Sequence, residues 1–343
     1  MALVEADSSL RSSAERPGGE EGASRVRSVR GAPFSRGGVG RRARRPKGTD
    51  PVSGAVFPHR LLPFVLMLPE LAVVGIFFLW PSAEGVLESV RESNAFGLGS
   101  RFAGLANFRA ALSGGYLQAL EVTVVFTVIT TVASMGLGLL IAVQVEQVSR
   151  LKGFYRTLFV WSYAVPGAVA GSIWLFLFEP HVGPGARFLG ALGLHWNFAL
   201  SGTQAFALIC AMTVWQQTAY DFVFFSAGLQ AVPQDVVEAA TVDGAGALRR
   251  FWRIVFPLLG PTTLFVVVMD VLAALFGSFA VIDVISQGGP GGSTTTLVYA
   301  LYRDGFQNGD VGLAGAETVL LFIIAGVLLA VQFRVINRRV HYR

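Results

Sequence analysis

Residues 120–144 read LEVTVVFTVITTVASMGLGLLIAVQ, and Glu121 is the one charged side chain among them. A helix needs about 20 apolar residues to cross the hydrocarbon core of a bilayer. Lipid offers no partner to an unpaired backbone amide, so a run of this kind has to be helical. Five further stretches have the same character, over 61–83, 157–179, 203–228, 262–286 and 314–335. The chain is therefore expected to be an all-α integral membrane protein with six transmembrane helices. Trp80, Trp161, Tyr163 and Phe333 stand near the ends of these runs, where interfacial anchors belong.

Composition agrees. Of 343 residues, 53% are hydrophobic and 14% charged, whereas a soluble domain carries about a quarter charged residues. The mean hydropathy is +0.57. The single cysteine, Cys210, excludes an intrachain disulfide and a cysteine-rich metal site, and four scattered histidines give no zinc cluster. No metal and no cofactor are expected.

The orientation follows from the basic residues. If the six runs cross the membrane in turn, 22 of the 27 Lys and Arg fall on one side, in the N-terminal segment, the 145–156 and 229–261 connections and the C-terminus. The other side receives Arg91, Arg101, Arg109, Arg187 and Arg303. Cytoplasmic loops carry the basic excess, so both termini are expected in the cytoplasm of a bacterial plasma (inner) membrane. Residues 1–57 form a basic tail, rich in Arg, Gly and Ser and poor in large apolar residues, which cannot bury a core and is expected to be disordered. The absence of a short apolar stretch behind a basic start argues against a cleaved signal. Two readings of the tail stand side by side: a regulatory or lipid-facing segment, and a translation start that truly lies near Val52 or Val56. The membrane-spanning part is residues 58–343.

The connection over 229–261 differs from an ordinary linker. Val232 to Pro261 read VPQDVVEAATVDGAGALRRFWRIVFPLLGP. Pro233 suits a first helical position, and a short helix through Glu238 is expected to stop near Gly244. A second helix carries Arg249, Arg250, Phe251, Trp252 and Ile254 toward Pro257. A plain hairpin explains the glycine but not the apolar Val236, Val237, Ala239, Ala240 and Val242 in a water-facing loop, which ask for a partner's groove.

These residues resemble a known pattern. Glu238-Ala239-Ala240, Gly244 four residues beyond Ala240, Ile254 ten further on and Pro257 are similar to the EAA loop of binding-protein-dependent ABC importers, with Phe256 where that pattern usually has Leu. The resemblance extends over roughly residues 58–343. It includes Phe102–Phe108 after the first span, Tyr163-Ala164-Val165-Pro166 in the third, and Gly288-Gly289-Pro290 with Thr294–Tyr299. It implies a MetI-like permease fold. It also implies that Glu238, Ala239, Ala240, Asp243, Gly244, Ile254 and Pro257 form the coupling surface that docks into an ATPase subunit. The implied partners are a second permease subunit, two ATPase subunits, an extracytoplasmic solute-binding protein and membrane lipid, with no nucleic acid. Within the carbohydrate-type importers the likeness is greatest to those for sn-glycerol-3-phosphate. The chain itself is not expected to be an enzyme: a phosphate-binding loop needs Gly-Lys followed by Ser or Thr, and the only lysines read Pro-Lys47-Gly and Leu-Lys152-Gly.

The spans carry few polar groups. Glu70, Asp221, Asp270 and Asp283 are the acids noted within them, and no Lys or Arg lies in the interior of any. An acid in lipid marks either a lined path or a contact between helices. Trp215, Gln216, Tyr220, Asp221 and Asp270 are candidate path residues, with Gln217 beside them; interhelical hydrogen bonding is the competing explanation. All-acidic spans favour a neutral polyol or oligosaccharide over a phosphate ester. Gly167 and Gly171 suit a helix-packing face. An ion-coupled secondary transporter would need repeat symmetry, and a membrane enzyme a nucleophile–base pair or metal motif; neither is visible in the sequence.

Overall fold

The computed structural model describes residues 62–93, 100–147 and 152–337. The chain divides between Arg60 and Leu61, and the expected tail over 1–57 lies outside the described residues.

All six apolar stretches are helical, in different ways. The first runs Leu62–Val74, passes through a π-helical turn at Gly75–Leu79 and continues as Trp80–Glu88. The second is Tyr116–Gln147 and the sixth Val311–Asn337. The fifth runs Gly260–Gly277 and restarts after Ser278 as Phe279–Ile285. These four are long and apolar enough to cross a membrane. The third is broken: Lys152–Val160 and a 3₁₀ turn at Trp161–Ala164 are followed by Gly167–Leu177 at an angle of 96°. Pro166 has no amide to donate and forces Val165 into extended backbone, with ψ of 123°. Counted as one span, the bent pair brings the stretches long and apolar enough to cross a membrane to five. The stretch over 203–228 is a single 29-residue helix, Gly202–Gln230, about 43 Å long at the helical rise. Gln216, Gln217 and Asp221 make it less apolar than the other four, and packing against its neighbours shelters them.

Small residues set how close these helices come. Thr123, Thr127, Thr130, Ser134, Gly138 and Ala142 recur three or four apart along Tyr116–Gln147 and are all buried. The Thr123 and Thr130 hydroxyls donate to the carbonyls of Ala119 (2.7 Å) and Phe126 (2.8 Å), one turn back. Gly202–Gln230 lies along this face. In the third span, Gly167 lies against Ala280 and Val281, and Gly171 against Val284. The largest core cluster gathers Phe126, Leu208, Ile209, Met212, Ile282 and Tyr299. The first-span helix stands apart: Phe77, Phe78 and Trp80 are exposed, as lipid or a partner helix requires. Only its last turn is clasped, where Gly315 of the sixth-span helix leaves no room for a side chain beside the Gly85 carbonyl and Ser89.

Two connections fold back on the bundle. Arg91–Ser93 pairs antiparallel with Ser100–Phe102, Arg91 opposite Phe102. This two-stranded ribbon leaves the all-α class intact; it lies between spans, where backbone groups can pair across strands instead of within a helix. The Asn107 amide pins it by donating to the carbonyls of Ser89 (3.0 Å) and Arg91 (2.7 Å). The second connection is held by Thr294 and Thr295, whose hydroxyls donate to the carbonyls of Gly289 (2.9 Å) and Gly288 (3.0 Å). It is tied to the second-span helix by the Leu297 amide, which donates to the Thr123 hydroxyl at 2.9 Å.

Candidate functional site

The 229–261 connection is a folded elbow. Its first helix is Gln234–Val242, so Pro233 is the cap before the helix and not its first residue: it keeps extended backbone, with ψ of 123°. The helix stops at Gly244, whose φ is +76°. There the Gly244 amide donates to the Thr241 carbonyl (3.1 Å) and the Ala245 amide to the Ala240 carbonyl (3.0 Å). That pairing of bonds closes a helix end around a left-handed residue, and glycine takes that conformation without a side-chain penalty.

The second arm departs from a plain helix. Ala247–Arg250 passes into a π-helical turn at Phe251–Val255 before Phe256–Leu258. Pro257 follows that turn by two residues, as Pro81 follows the π-helical turn of the first span. A proline ring pushes away the carbonyl four residues back, and an extra residue in the turn absorbs the displacement. Arg250 braces the arms by donating from Nη1 to the Thr241 hydroxyl at 2.5 Å.

On this elbow Glu238, Ala239, Asp243, Gly244 and Pro257 are exposed, Ile254 is half-buried and Ala240 is buried. Val236, Val242, Leu248 and Trp252 are exposed, an apolar surface with nothing of this chain over it among the described residues.

A second feature lies at the break of the third span. A cleft of about 430 Å³ is lined by Tyr163, Val165, Pro166, Gly167, Thr213, Gln216, Gln217, Ala273, Gly277, Ser278, Ala280 and Val281. The Gln216 amide donates to the Val165 carbonyl at 2.5 Å, which lies outside the helix that Pro166 caps. The Gln217 amide donates to Asp270 Oδ1 at 2.6 Å. Trp215 and Tyr220 do not line the cleft. Trp215 packs on Trp174, ring centroids 6.0 Å apart, and Tyr220 on Tyr163 at 5.4 Å.

Asp221 and Asp270 sit behind that wall. They are 0% and 2% exposed. Ser134 of the second-span helix donates to Asp270 Oδ2 at 3.2 Å, and Asp221 lies beside the same two side chains. The geometry places both acids between helices, and neither lines the cleft. Of the other acids, Glu70 is exposed on the first-span helix and Asp283 half-buried.

Residues 134–342 match the family described as the binding-protein-dependent transport system inner membrane component. The chain belongs to this family. Among its relatives, the sn-glycerol-3-phosphate transport system permease protein UgpA of Agrobacterium fabrum is 47% identical over 292 residues, which cover 85% of this chain and 100% of that one. The protein of the same name from Rhizobium meliloti is 46% identical, with 84% and 98% covered; that from Salmonella typhimurium is 41% identical, with 85% and 99% covered. The crystal structure of a bacterial ABC transporter involved in the import of the acidic polysaccharide alginate aligns with a TM-score of 0.70 at 18% identity, covering 81% of this chain and 95% of that chain. At that identity the likeness concerns the fold.

This family member is thus an inner-membrane permease subunit of an ATP-driven importer, with a MetI-like fold, and ATP is hydrolysed by a separate subunit. Three polar groups of the permease escaped the sequence reading. Ser134 lies in a run of small residues that gives no sign of facing an acid. Thr213 lines the cleft, its hydroxyl buried and without a partner among the described residues. Glu317, 2% exposed, has one unpartnered carboxylate oxygen; an acid inside the 314–335 apolar run was a legible signal for it.

Proposed function

We propose that this permease pairs with a second, similar permease around a shared path for sn-glycerol-3-phosphate. Two ATPase subunits grip the elbows, and a soluble binding protein delivers substrate on the opposite face. The observation that carries the substrate is identity of 40–47% to relatives named for it, over 99–100% of their length in the Agrobacterium and Pectobacterium proteins. A binding protein is in keeping with the family's description and with the second alginate transporter structure, a complex with a pentasaccharide-bound periplasmic protein. The basic asymmetry supports termini and elbows on the cytoplasmic side.

In this reading Glu238, Ala239, Ala240, Asp243 and Gly244 seat the elbow in the ATPase, with Ile254 and Pro257 carrying its second arm. The closed helix end at Gly244 and the Arg250 brace let the elbow move as one piece, so that ATP-driven closure tilts the fifth-span helix that follows. The path runs past the cleft at the third-span break, with Gln216 on its wall and Trp215 and Tyr220 flanking. A neutral polyol or oligosaccharide is the second reading, favoured by a cleft whose lining includes no charged side chain.

The test is uptake of labelled glycerol-3-phosphate by cells with and without this chain, with a neutral disaccharide as the paired substrate. Loss of the phosphate ester signal alone is the expected result. Loss of the disaccharide signal alone would replace the substrate with a neutral sugar.

A further inference from the structure

A smaller pocket lies away from the third-span break, where the ends of three helices meet on the side of the elbow. It has a volume of about 140 Å³ and gathers Glu146 from the end of Tyr116–Gln147, Arg156 from Lys152–Val160, and Ser226 and Gln230 from the last turns of Gly202–Gln230, with the apolar Val145 and Phe222 beside them. The wall thus carries both signs of charge. Arg156 is exposed and makes no ion pair among the described residues. The Gln230 amide donates to Glu146 Oε1 at 2.9 Å, and a carboxylate has room for several donors at once. Ser226 is 2% exposed, and its hydroxyl has no partner among the described residues. Thr218, two turns earlier in the same helix, closes its hydroxyl on the Val214 carbonyl at 2.6 Å, the ordinary way for a helical hydroxyl to be satisfied. Ser226 leaves that bond unmade, and an unmet buried donor costs free energy until something meets it.

We propose that this pocket holds the headgroup of a phospholipid from the leaflet on the elbow side, one that carries both a phosphodiester and a primary ammonium, as phosphatidylethanolamine does. The phosphodiester accepts from Arg156 and from the Ser226 hydroxyl, and the ammonium donates to Glu146, so each charge in the wall meets its opposite. An anionic headgroup without an ammonium would set its charge beside Glu146 with nothing to offset it. Two observations choose a lipid over a free solute. The volume is below the roughly 300–1,000 Å³ usual for small-molecule sites, which suits a headgroup already tethered by its chains. The helix that carries Arg156 also exposes Phe154 and Leu158, one turn apart, so it stands at the apolar edge of the bundle and not inside it. Gln230 ends the helix that leads into the elbow, whose first helix begins at Gln234. A headgroup held between Arg156 and Glu146 therefore ties the root of the elbow to the second and third spans, whatever the substrate is.

The experiment uses the complete importer, purified in detergent and exchanged against equimolar phosphatidylethanolamine, phosphatidylglycerol and phosphatidylcholine with the same acyl chains, and counts the retained lipids by native mass spectrometry. Lipids held loosely around the spans are common to all variants, so comparison with wild type isolates this pocket. Wild type should retain phosphatidylethanolamine in preference to the other two. Arg156→Gln should lower that retention by at least about tenfold and Ser226→Ala by about fivefold, the scales of a charge-assisted and of a neutral hydrogen bond. Glu146→Gln should abolish the preference over phosphatidylglycerol, whose headgroup has no ammonium. Ser226→Ala removes a hydroxyl that the chain itself leaves unpartnered, so its Tm should not fall and its loss of lipid cannot be laid to misfolding. Equal retention of the three lipids by wild type, or a preference unchanged in all three variants, would overturn the site. Free O-phosphoethanolamine, added at the same concentration, should leave the lipid in place; displacement of the lipid would reassign the pocket to a soluble phosphate ester.

Discussion

Gly138 and Asp221 meet where the second- and fourth-span helices touch: a Cβ built on Gly138 would lie 2.5 Å from the Asp221 Cβ and 3.0 Å from the Phe222 amide nitrogen. The obstruction is backbone and the root of a side chain, so no rotamer change can relieve it. Gly138→Ala should therefore force the helices apart at the level of the acid pair. The expected cost is about 1–3 kcal/mol, as for other overpacked interiors, read as a lowered Tm of the purified complex in detergent. A Tm equal to wild type would mean that the two helices are not held this close.

Glu238 is exposed on the elbow. Glu238→Lys should leave expression and Tm unchanged while uptake and binding-protein-stimulated ATP hydrolysis fall together by at least about tenfold, a charge reversal at a docked surface costing several kcal/mol. Wild-type uptake in this variant would remove Glu238 from the coupling surface.

Gly244 has φ of +76° with open space around the place where a Cβ would go. The cost of Gly244→Ala is then backbone strain alone, about 1–2 kcal/mol for a left-handed residue. Gly244→Asn, which tolerates that conformation better, should recover part of it. Protease sensitivity of the elbow reports the difference, and equal sensitivity of the two variants would contradict the strain argument.

Glu179, just past the helix that ends at Leu177, accepts hydrogen bonds from the amides of His181 (2.8 Å) and Val182 (2.9 Å). The Val182 amide first, and then that of His181, hold its carboxyl below the ordinary glutamate range. A carboxyl depressed in the folded state contributes stability above its unfolded pKa and loses it as pH falls through the folded value. The turn at 179–183 should accordingly stay closed through the neutral and mildly acidic range and loosen only below the ordinary glutamate range. Hydrogen exchange at the Val182 amide is the readout: Glu179→Gln should exchange faster than wild type at neutral pH and lose the acid dependence. Acid dependence surviving in the variant would assign it to another group.

Hydropathy is a one-dimensional property, and the sequence by itself determined what depends on it: the six helical stretches, the break at Pro166, and the basic bias from which an orientation is proposed. Local backbone chemistry was equally readable, since only glycine sits freely at the left-handed position that ends Gln234–Val242, and proline can only interrupt. The spacing from Glu238 to Pro257 survived because it is a pattern within one connection.

Relations between helices far apart in the chain were decided by the tertiary structure alone. Gln216 and Gln217 are adjacent in sequence, yet one donates to Val165 in the third span and the other to Asp270 in the fifth, because successive residues on a helix point about 100° apart. Their order says nothing of which neighbour each meets. Asp221 and Asp270 looked like path residues because an acid in an apolar run is conspicuous, and the fold puts both behind the wall. Thr213, ordinary by every sequence measure, lies beside the third-span break with a hydroxyl that is buried and unpartnered among the described residues. Polarity along a chain shows that a group needs a partner; which partner it finds depends on how the helices pack.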